Sequence, residues 1–211
     1  MISFSKYKVV LWDFDGVLMD SMPIREEGFR RTLSGYPKEE VDKLLVYHHK
    51  NGGLSRYVKF RYFFETIRGE SIDNDRILEL AGRFSEVMME LLINEKLLIH
   101  DALDFVKRAH QGLPMHVVSG SDGVELNKIC ERLDIRKYFR SIHGSPTPKN
   151  QLIAELMQKH GYDPATTVLI GDSVNDHDAA VVNNIDFLGY NNPDLNSSTG
   201  HYIHSFREFM I

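Results

Sequence analysis

The stretch Val9-Val10-Leu11-Trp12-Asp13-Phe14-Asp15-Gly16 constrains this chain more than any other. Four consecutive apolar residues stop at two carboxylates and a glycine. An unbroken apolar run of this length suits a strand covered on both faces. Strands of that kind build parallel sheets flanked by helices, and ligands bind at the carboxyl ends of such strands. Asp13 and Asp15 stand at that end, and side chains two apart on a strand point the same way. Two carboxylates held close repel each other and raise one pKa unless a cation compensates. The stretch therefore points to a divalent metal, an acid/base pair, or both. Taken alone it also reads as an ordinary turn, since Asp and Gly are common turn residues. The rest of the chain has to decide.

Length and composition narrow the choice. The chain has 211 residues, 42% hydrophobic and 26% charged, a normal globular balance. That length allows one large domain, or one domain with a smaller one inserted. The net charge of -5 gives no sign of the basic patch or stripe that marks a nucleic-acid partner. A single cysteine, Cys130, cannot form an internal disulfide and fits a reducing compartment. It sits at helical spacing among apolar neighbours, which predicts a buried structural thiol. The first apolar run is cut short by Asp13 and is no signal peptide. No run approaches the roughly 18 apolar residues of a membrane span. The expectations are a cytoplasmic location and no membrane partner.

Two kinds of pattern divide the chain. From residue 23 to 94 it reads as helix after helix, over 24–33, from Pro37 to the break at Asn51-Gly52-Gly53, over 55–67, and over 75–92. The Met88-Met89 pair and the aromatic stripe from Tyr57 to Phe64 are expected as core of that helical unit. After residue 94 helix and strand alternate. Strands are expected over 115–119, 139–143, 167–171 and 185–188, and helices over 101–110, 124–133, 149–160 and 176–182. This alternation argues for a parallel, doubly wound sheet. The opening strand, 8–12, must belong to the same sheet. The expected fold class is therefore α/β, a Rossmann-like parallel sheet core with an inserted α-helical cap. The core covers 1–17 and 95–211, and the cap 18–94.

Polar residues recur where the later strands end. Val117-Val118-Ser119-Gly120 puts a hydroxyl at a strand end, with a helix N-terminus behind it whose amides can hold an anion. His143-Gly144-Ser145-Pro146-Thr147-Pro148-Lys149 delivers a lysine at the start of a helix, against the dipole. Gly171-Asp172-Ser173-Val174-Asn175-Asp176 puts two more carboxylates at another strand end. Singly, Ser119 reads as a helix cap and Lys149 as a surface lysine. Together they form an ordered set, one at the same end of each strand, and chance explains that poorly.

That set resembles the haloacid dehalogenase superfamily of phosphohydrolases. Asp13-Phe14-Asp15-Gly16-Val17-Leu18-Met19-Asp20-Ser21 resembles its first motif, Ser119 its second, Lys149 its third and Gly171 to Asp176 its fourth. The helical insertion resembles the cap of phosphoglycolate phosphatases and beta-phosphoglucomutases. Trp12 stands where Phe or another apolar residue is expected. The resemblance implies a phosphatase that hydrolyses a small phosphate monoester, a sugar phosphate or phospho-acid. It implies Asp13 as the nucleophile forming an aspartyl-phosphate, and Asp15 as the acid and then the base. It implies Mg²⁺ held by the Asp13 carboxylate, the Asp15 main-chain carbonyl and Asp172, with Asp176 in support. Ser119, Gly120 and Lys149 would hold the transferring oxygens.

Other classes fit less well. Dehalogenases of the superfamily lack an acid at the position of Asp15. Mutases of the capped subgroup usually carry Glu-Asp-Ser with no later Asp, where this chain has Gly171-Asp172-Ser173 and Asp176, so a beta-phosphoglucomutase-type phosphomutase is the alternative. A receiver-type signalling domain carries no helical insertion, and an idle binding module need not keep all four motifs. In the cap, Gly53, Ser55 and Arg56 lie on a loop of the kind that reaches over the active site in capped relatives, and are the candidates for substrate contact. Lys59 and Arg61 are expected on the solvated face, and His48-His49 as a surface pair. The expected partner is a small phosphorylated metabolite, and the expected state a monomer or weak homodimer.

Overall fold

A computed structural model describes residues 4–198 and 201–209. Residues 1–3, 199–200 and 210–211, which fall in the expected core ranges, lie outside the described residues. Six strands form one sheet: β1 (Val9–Trp12), β2 (Met115–Asp122), β3 (Ser141–Ser145), β4 (Thr167–Gly171), β5 (Asp186–Tyr190) and β6 (Tyr202–Ile203). Their order is β3-β2-β1-β4-β5-β6, and every neighbouring pair is parallel. The order reverses at β1, which lies between β2 and β4. The carboxyl end of β1 is therefore the topological switch point, where a doubly wound sheet opens a crevice for a ligand.

Alternation along β1 sends side chains to both faces. Val10 and Trp12 join one hydrophobic cluster with Phe105 and Val106 of α5 (His100–Ala109) and Leu126 and Ile129 of α6 (Gly123–Arg132). Val9 and Leu11 join another with Leu152, Ile153 and Leu156 of α7 (Lys149–His160) and Ala179 and Ala180 of α8 (Val174–Val182). All four β1 residues are buried, as an apolar run covered on both faces requires. Cys130 is buried on α6, and burial pushes its thiol up to about 12. It is a structural thiol.

Between β1 and α5 four helices are inserted: α1 (Met22–Thr32), α2 (Lys38–Lys50), α3 (Arg56–Tyr62) and α4 (Asn74–Leu91). α3 continues into a π-helical segment, Phe63–Arg68, that ends at Gly69 with φ 69°. Asp73 caps α4 by accepting from Arg76 N at 2.7 Å. The rings of Phe29, Phe60 and Phe84 meet at centroid distances of 5.5, 4.6 and 6.1 Å, so one residue from each of α1, α3 and α4 makes the middle of the insertion. Met88 is buried beside them. The outgoing and returning segments run side by side: Asp20 N donates to Leu97 O at 2.8 Å and Ile99 N to Leu18 O at 3.0 Å.

Several boundaries differ from the sequence expectation. β2 runs to Asp122 rather than residue 119, because pairing with β3 resumes at Asp122 and Ser145 after an irregularity in register. α8 begins at Val174 rather than 176, because Ser173 caps it in a reciprocal box with Asp176. β6 and a short helix α9 (Asp194–Ser198) carry too little pattern to be seen in sequence. No helix among the described residues is long and apolar enough to cross a membrane.

One buried group away from the crevice makes stability depend on pH. His116 on β2 is buried, with Nδ1 2.6 Å from Ser141 Oγ and Nε2 3.0 Å from Tyr162 OH. Burial, then the nearby His160, His143, Arg140 and Lys159, lower its pKa from 6.5 to about 4. Between those values the unfolded chain takes up a proton that the folded chain refuses. Stability is therefore full above pH 6.5 and falls as pH drops toward 4. Replacing His116 by Gln should flatten this slope in urea melts across that window. An unchanged slope would remove His116 as its source.

Candidate active site

Asp13 follows β1 directly, and its N–H donates to Ile170 O of β4 at 2.9 Å, so the strand pairing itself fixes its backbone. Its side chain is buried. Asp172 follows β4, and Asp176 lies in the first turn of α8. One carboxylate oxygen from each of Asp13, Asp172 and Asp176 lies within 4.8 Å of the others. Lys149, the first residue of α7, is buried between them. Its Nζ is 2.8 Å from Asp13 Oδ1 and pairs with Asp176 Oδ1. Asp176 Oδ2 accepts from Ser173 N at 3.1 Å and Ser173 Oγ at 2.7 Å. The cap of α8 therefore orients one member of the cluster.

The electrostatics are those of a site short of positive charge. Burial, then the charge of Asp176, push Asp13 up to about 7 against the pull of Lys149. Burial, then Asp13 and Asp176, raise Asp172 well above the carboxylate range. Burial alone would lower Lys149, but Asp13 and Asp176 outweigh it and hold it charged. One lysine facing three carboxylates leaves a deficit that a small divalent cation offsets. Asp13 Oδ1 is buried without an aligned hydrogen-bond donor. An all-oxygen carboxylate set is the chemistry Mg²⁺ takes, so these residues fit that ion.

The loop after β1 is built around the cluster. Gly16 has φ +75°, and a methyl group there would stand 1.9 Å from Asp172 Oδ2. Only glycine serves in that place. Two residues not anticipated from sequence pin the loops: Asn191 Nδ2 donates to Gly16 O at 2.9 Å and Asn192 Nδ2 to Asp172 O at 2.7 Å.

Asp15 stands outside the carboxylate cluster. Arg25 of α1 approaches its Oδ1 at 3.0 Å, Ser121 Oγ donates to its Oδ2 at 2.5 Å, and Ser21 Oγ donates to its Oδ1. Burial alone would raise its pKa, but the Arg25 charge and these hydrogen bonds bring it down to about 2. Arg25 also donates to Glu125 Oε1 of α6 at 3.0 Å. The same Glu125 receives the Arg56 fork, at 2.7 and 2.8 Å, and all three side chains are buried. Arg56 also donates to Ser85 Oγ at 2.7 Å and lies over the Phe84 ring at 4.5 Å. Two arginines from the insertion thus close on one glutamate of the sheet unit.

The remaining candidates are placed as follows. Ser119 is buried, and its Oγ accepts from Ser121 N at 3.1 Å. The helix N-terminus expected behind it is already occupied, because Asp122 Oδ1 accepts from Val124 N and Glu125 N, both at 3.0 Å. That correction follows from the longer β2. Gly53 lies against the sheet unit: a methyl on Gly120 would come 2.3 Å from Gly53 O, and one on Gly53 would come 2.9 Å from Ser173 Oγ. Ser55 caps α3, accepting from Val58 N. His48 is buried, not on the surface as expected. The signal was present, since Val41, Leu44, Leu45 and His48 share the buried stripe of α2. Lys59 is buried as well, against expectation, and donates to Gly52 O at 3.1 Å. Arg61 is solvated and pairs with Glu65 at 2.8 Å. Arg25, Ser21, Ser121 and Glu125 were missed, because lone polar residues on helices carry no local mark of burial.

Comparison with known proteins agrees with this geometry. A family model described as haloacid dehalogenase-like hydrolase matches residues 7–182. A phosphorylated carbohydrates phosphatase of Thermotoga maritima is 27% identical over 184 residues, covering 82% of this chain and 80% of the relative. A phosphoglycolate phosphatase of Colwellia psychrerythraea is 24% identical over 188 residues, covering 86% and 83%. Among solved structures, the beta-phosphoglucomutase of Clostridium difficile superposes with a TM-score of 0.77 at 14% identity, covering 97% of this chain and 94% of that one. With the family model spanning most of its length, the chain belongs to the haloacid dehalogenase-like hydrolases.

Proposed function

We propose that this chain is a Mg²⁺-dependent phosphatase that hydrolyses a small phosphate monoester through an aspartyl-phosphate on Asp13. The observation that carries the proposal is the buried Asp13 at the end of β1, within reach of Asp172, Asp176 and Lys149. The Asp13 and Asp172 carboxylates and the Asp15 main-chain carbonyl would hold the ion, with Asp176 in support. When bound, the ion supplies neutralisation of the ester oxygens, which otherwise repel a carboxylate nucleophile.

The chain's own groups carry the steps. An Asp13 oxygen attacks phosphorus, and the bond to the ester oxygen breaks with its electron pair leaving on the alcohol. Lys149, Ser119 and the Gly120 amide hold the transferring oxygens. Asp15 protonates the leaving alcohol, then takes a proton from the water that opens the acyl phosphate. The ion pair with Arg25 keeps Asp15 deprotonated, the form needed for the second step. The first step needs that pair to loosen.

Arg25 belongs to the insertion, so we assign the loosening to movement of 18–94 as a cap over a core of 1–17 and 95–211. The paired segments at Leu18–Ile99 and Asp20–Leu97 are where such a hinge would sit. In this closed arrangement Gly53 seals the phosphate end against Gly120, while Ser55 and Arg56 hold α3 and the cap in register. The proposal carries with it a small phosphorylated metabolite as partner and a cytoplasmic location.

Glu125 should act as the latch of the closed form. Replacing it by Gln leaves two buried arginines undercompensated and should cost about 3 kcal/mol or more in a urea melt. A loss below about 1 kcal/mol would mean that the pair is solvated and the latch open in solution.

The proposal as a whole is tested with p-nitrophenyl phosphate and a panel of sugar phosphates and phospho-acids. Hydrolysis should require Mg²⁺ and stop with chelator, and Asp13→Asn should lower the rate about a thousandfold or more. Turnover in metal-free buffer, or activity near wild type in Asp13→Asn, would overturn it. Isomerisation of a hexose phosphate without phosphate release would make the chain a mutase instead.

A further inference from the structure

A second set of polar groups faces the same crevice from the insertion. Beyond Asp15, between α1, α2, α3 and α4, lies a cavity of about 30 Å³. That is room for roughly two water molecules. Phe29, Phe84 and Met22 form its apolar wall, and His48 and Lys59 contribute polar side chains.

The charges around it do not balance. Arg25 is matched by Asp15 and Glu125, and Arg56 by Glu125. Lys59 is buried, yet among the described residues no carboxylate forms an ion pair with it, and its ammonium has Gly52 O as hydrogen-bond partner. His48 is also buried, and neither ring nitrogen has a hydrogen-bond partner. Burying an ammonium without a counter-ion and an imidazole without a partner costs stability. Burial, with the charges nearby, accordingly lowers Lys59 to about 7 and His48 to about 2. Both groups gain from the same thing, a compact anion that accepts hydrogen bonds. The cavity suits a carboxylate in size, whereas a sugar ring would meet apolar walls and too little space.

We infer that Lys59 and His48 form a recognition subsite for a carboxylate on the leaving group, so that the preferred substrates are phosphate esters of small hydroxy acids. This rests on the phosphatase reading above. In it, Asp15 sits between the scissile oxygen and the cavity, so a carboxylate one or two carbons from the ester oxygen reaches Lys59. His48, as a neutral imidazole, donates from one ring nitrogen.

The test compares two esters matched in size, carboxymethyl phosphate and 2-hydroxyethyl phosphate, with p-nitrophenyl phosphate as a control for chemistry. The wild type should favour the carboxylate ester in kcat/KM by about ten- to hundredfold, the worth of a charged hydrogen bond. Lys59→Met should abolish most of that ratio through KM, and Lys59→Arg should keep more of it. His48→Phe should reduce the ratio by a smaller factor. Lys59→Met should also raise Tm in the absence of ligand, because it removes a buried charge that lacks an ion-pair partner; a residue serving the fold alone would lower it. An unchanged ratio in Lys59→Met, or a wild type with no preference for the carboxylate, would overturn the subsite while leaving the phosphatase intact, provided p-nitrophenyl phosphate is hydrolysed. Failure on all three esters would overturn both.

Discussion

The ion pairs of Lys149 are what the site depends on. Three carboxylates converge within 4.8 Å in a place largely closed to water, and Lys149 lies buried between two of them. Without it the repulsion would protonate the cluster or force it apart. With it alone the cluster still lacks positive charge, which is why Asp13 is raised rather than lowered. The same imbalance that costs stability in the bare site is what makes it receptive to a divalent cation and to a phosphate ester. The doubly wound topology supplies the geometry: β1 and β4 end side by side, and the first turns of α7 and α8 close over them.

A second charge network ties the insertion to the sheet. Asp15, Arg25, Glu125 and Arg56 alternate in sign from the crevice outward, and each is matched by its neighbours. Lys59, beside them, is not. The contrast separates two jobs: the matched arginines hold the two parts in register, and the unmatched lysine is left for a ligand. Asp15 belongs to both networks in effect, since its backbone follows the nucleophile and its side chain answers to the insertion. Through it, closure over a substrate and proton transfer become one event.

What could be seen in the sequence was what is local. The apolar run from Val9 to Trp12, cut by Asp13, marked β1 and its ligand-bearing end, because burial on both faces leaves a continuous pattern. The alternation after residue 94 marked the doubly wound sheet. The caps at Asp73 and Ser173 and the turn at Gly16 carry their own chemistry. Long-range choices were not visible. Ser121 meets Asp15 across 106 residues and Arg25 meets Glu125 across 100. A lone charge on a helix reads as solvated until its partner is placed, as Lys59 and Arg25 show. The extension of β2 past Ser119 depends on pairing with β3, which no single strand announces. His48 was legible in principle, seven residues after Val41 on one helical stripe, but imidazole is not counted as apolar when such stripes are read.

The central claim is that Asp13 itself carries the phosphoryl group between the two half-reactions. The most direct measurement is an acid quench during turnover of an ester labelled in its phosphate, followed by peptide mapping. The account predicts label on the peptide containing Asp13, released by hydroxylamine as an acyl phosphate should be. Label on a peptide containing Ser119 or any other residue, or steady turnover with no labelled peptide, would contradict it.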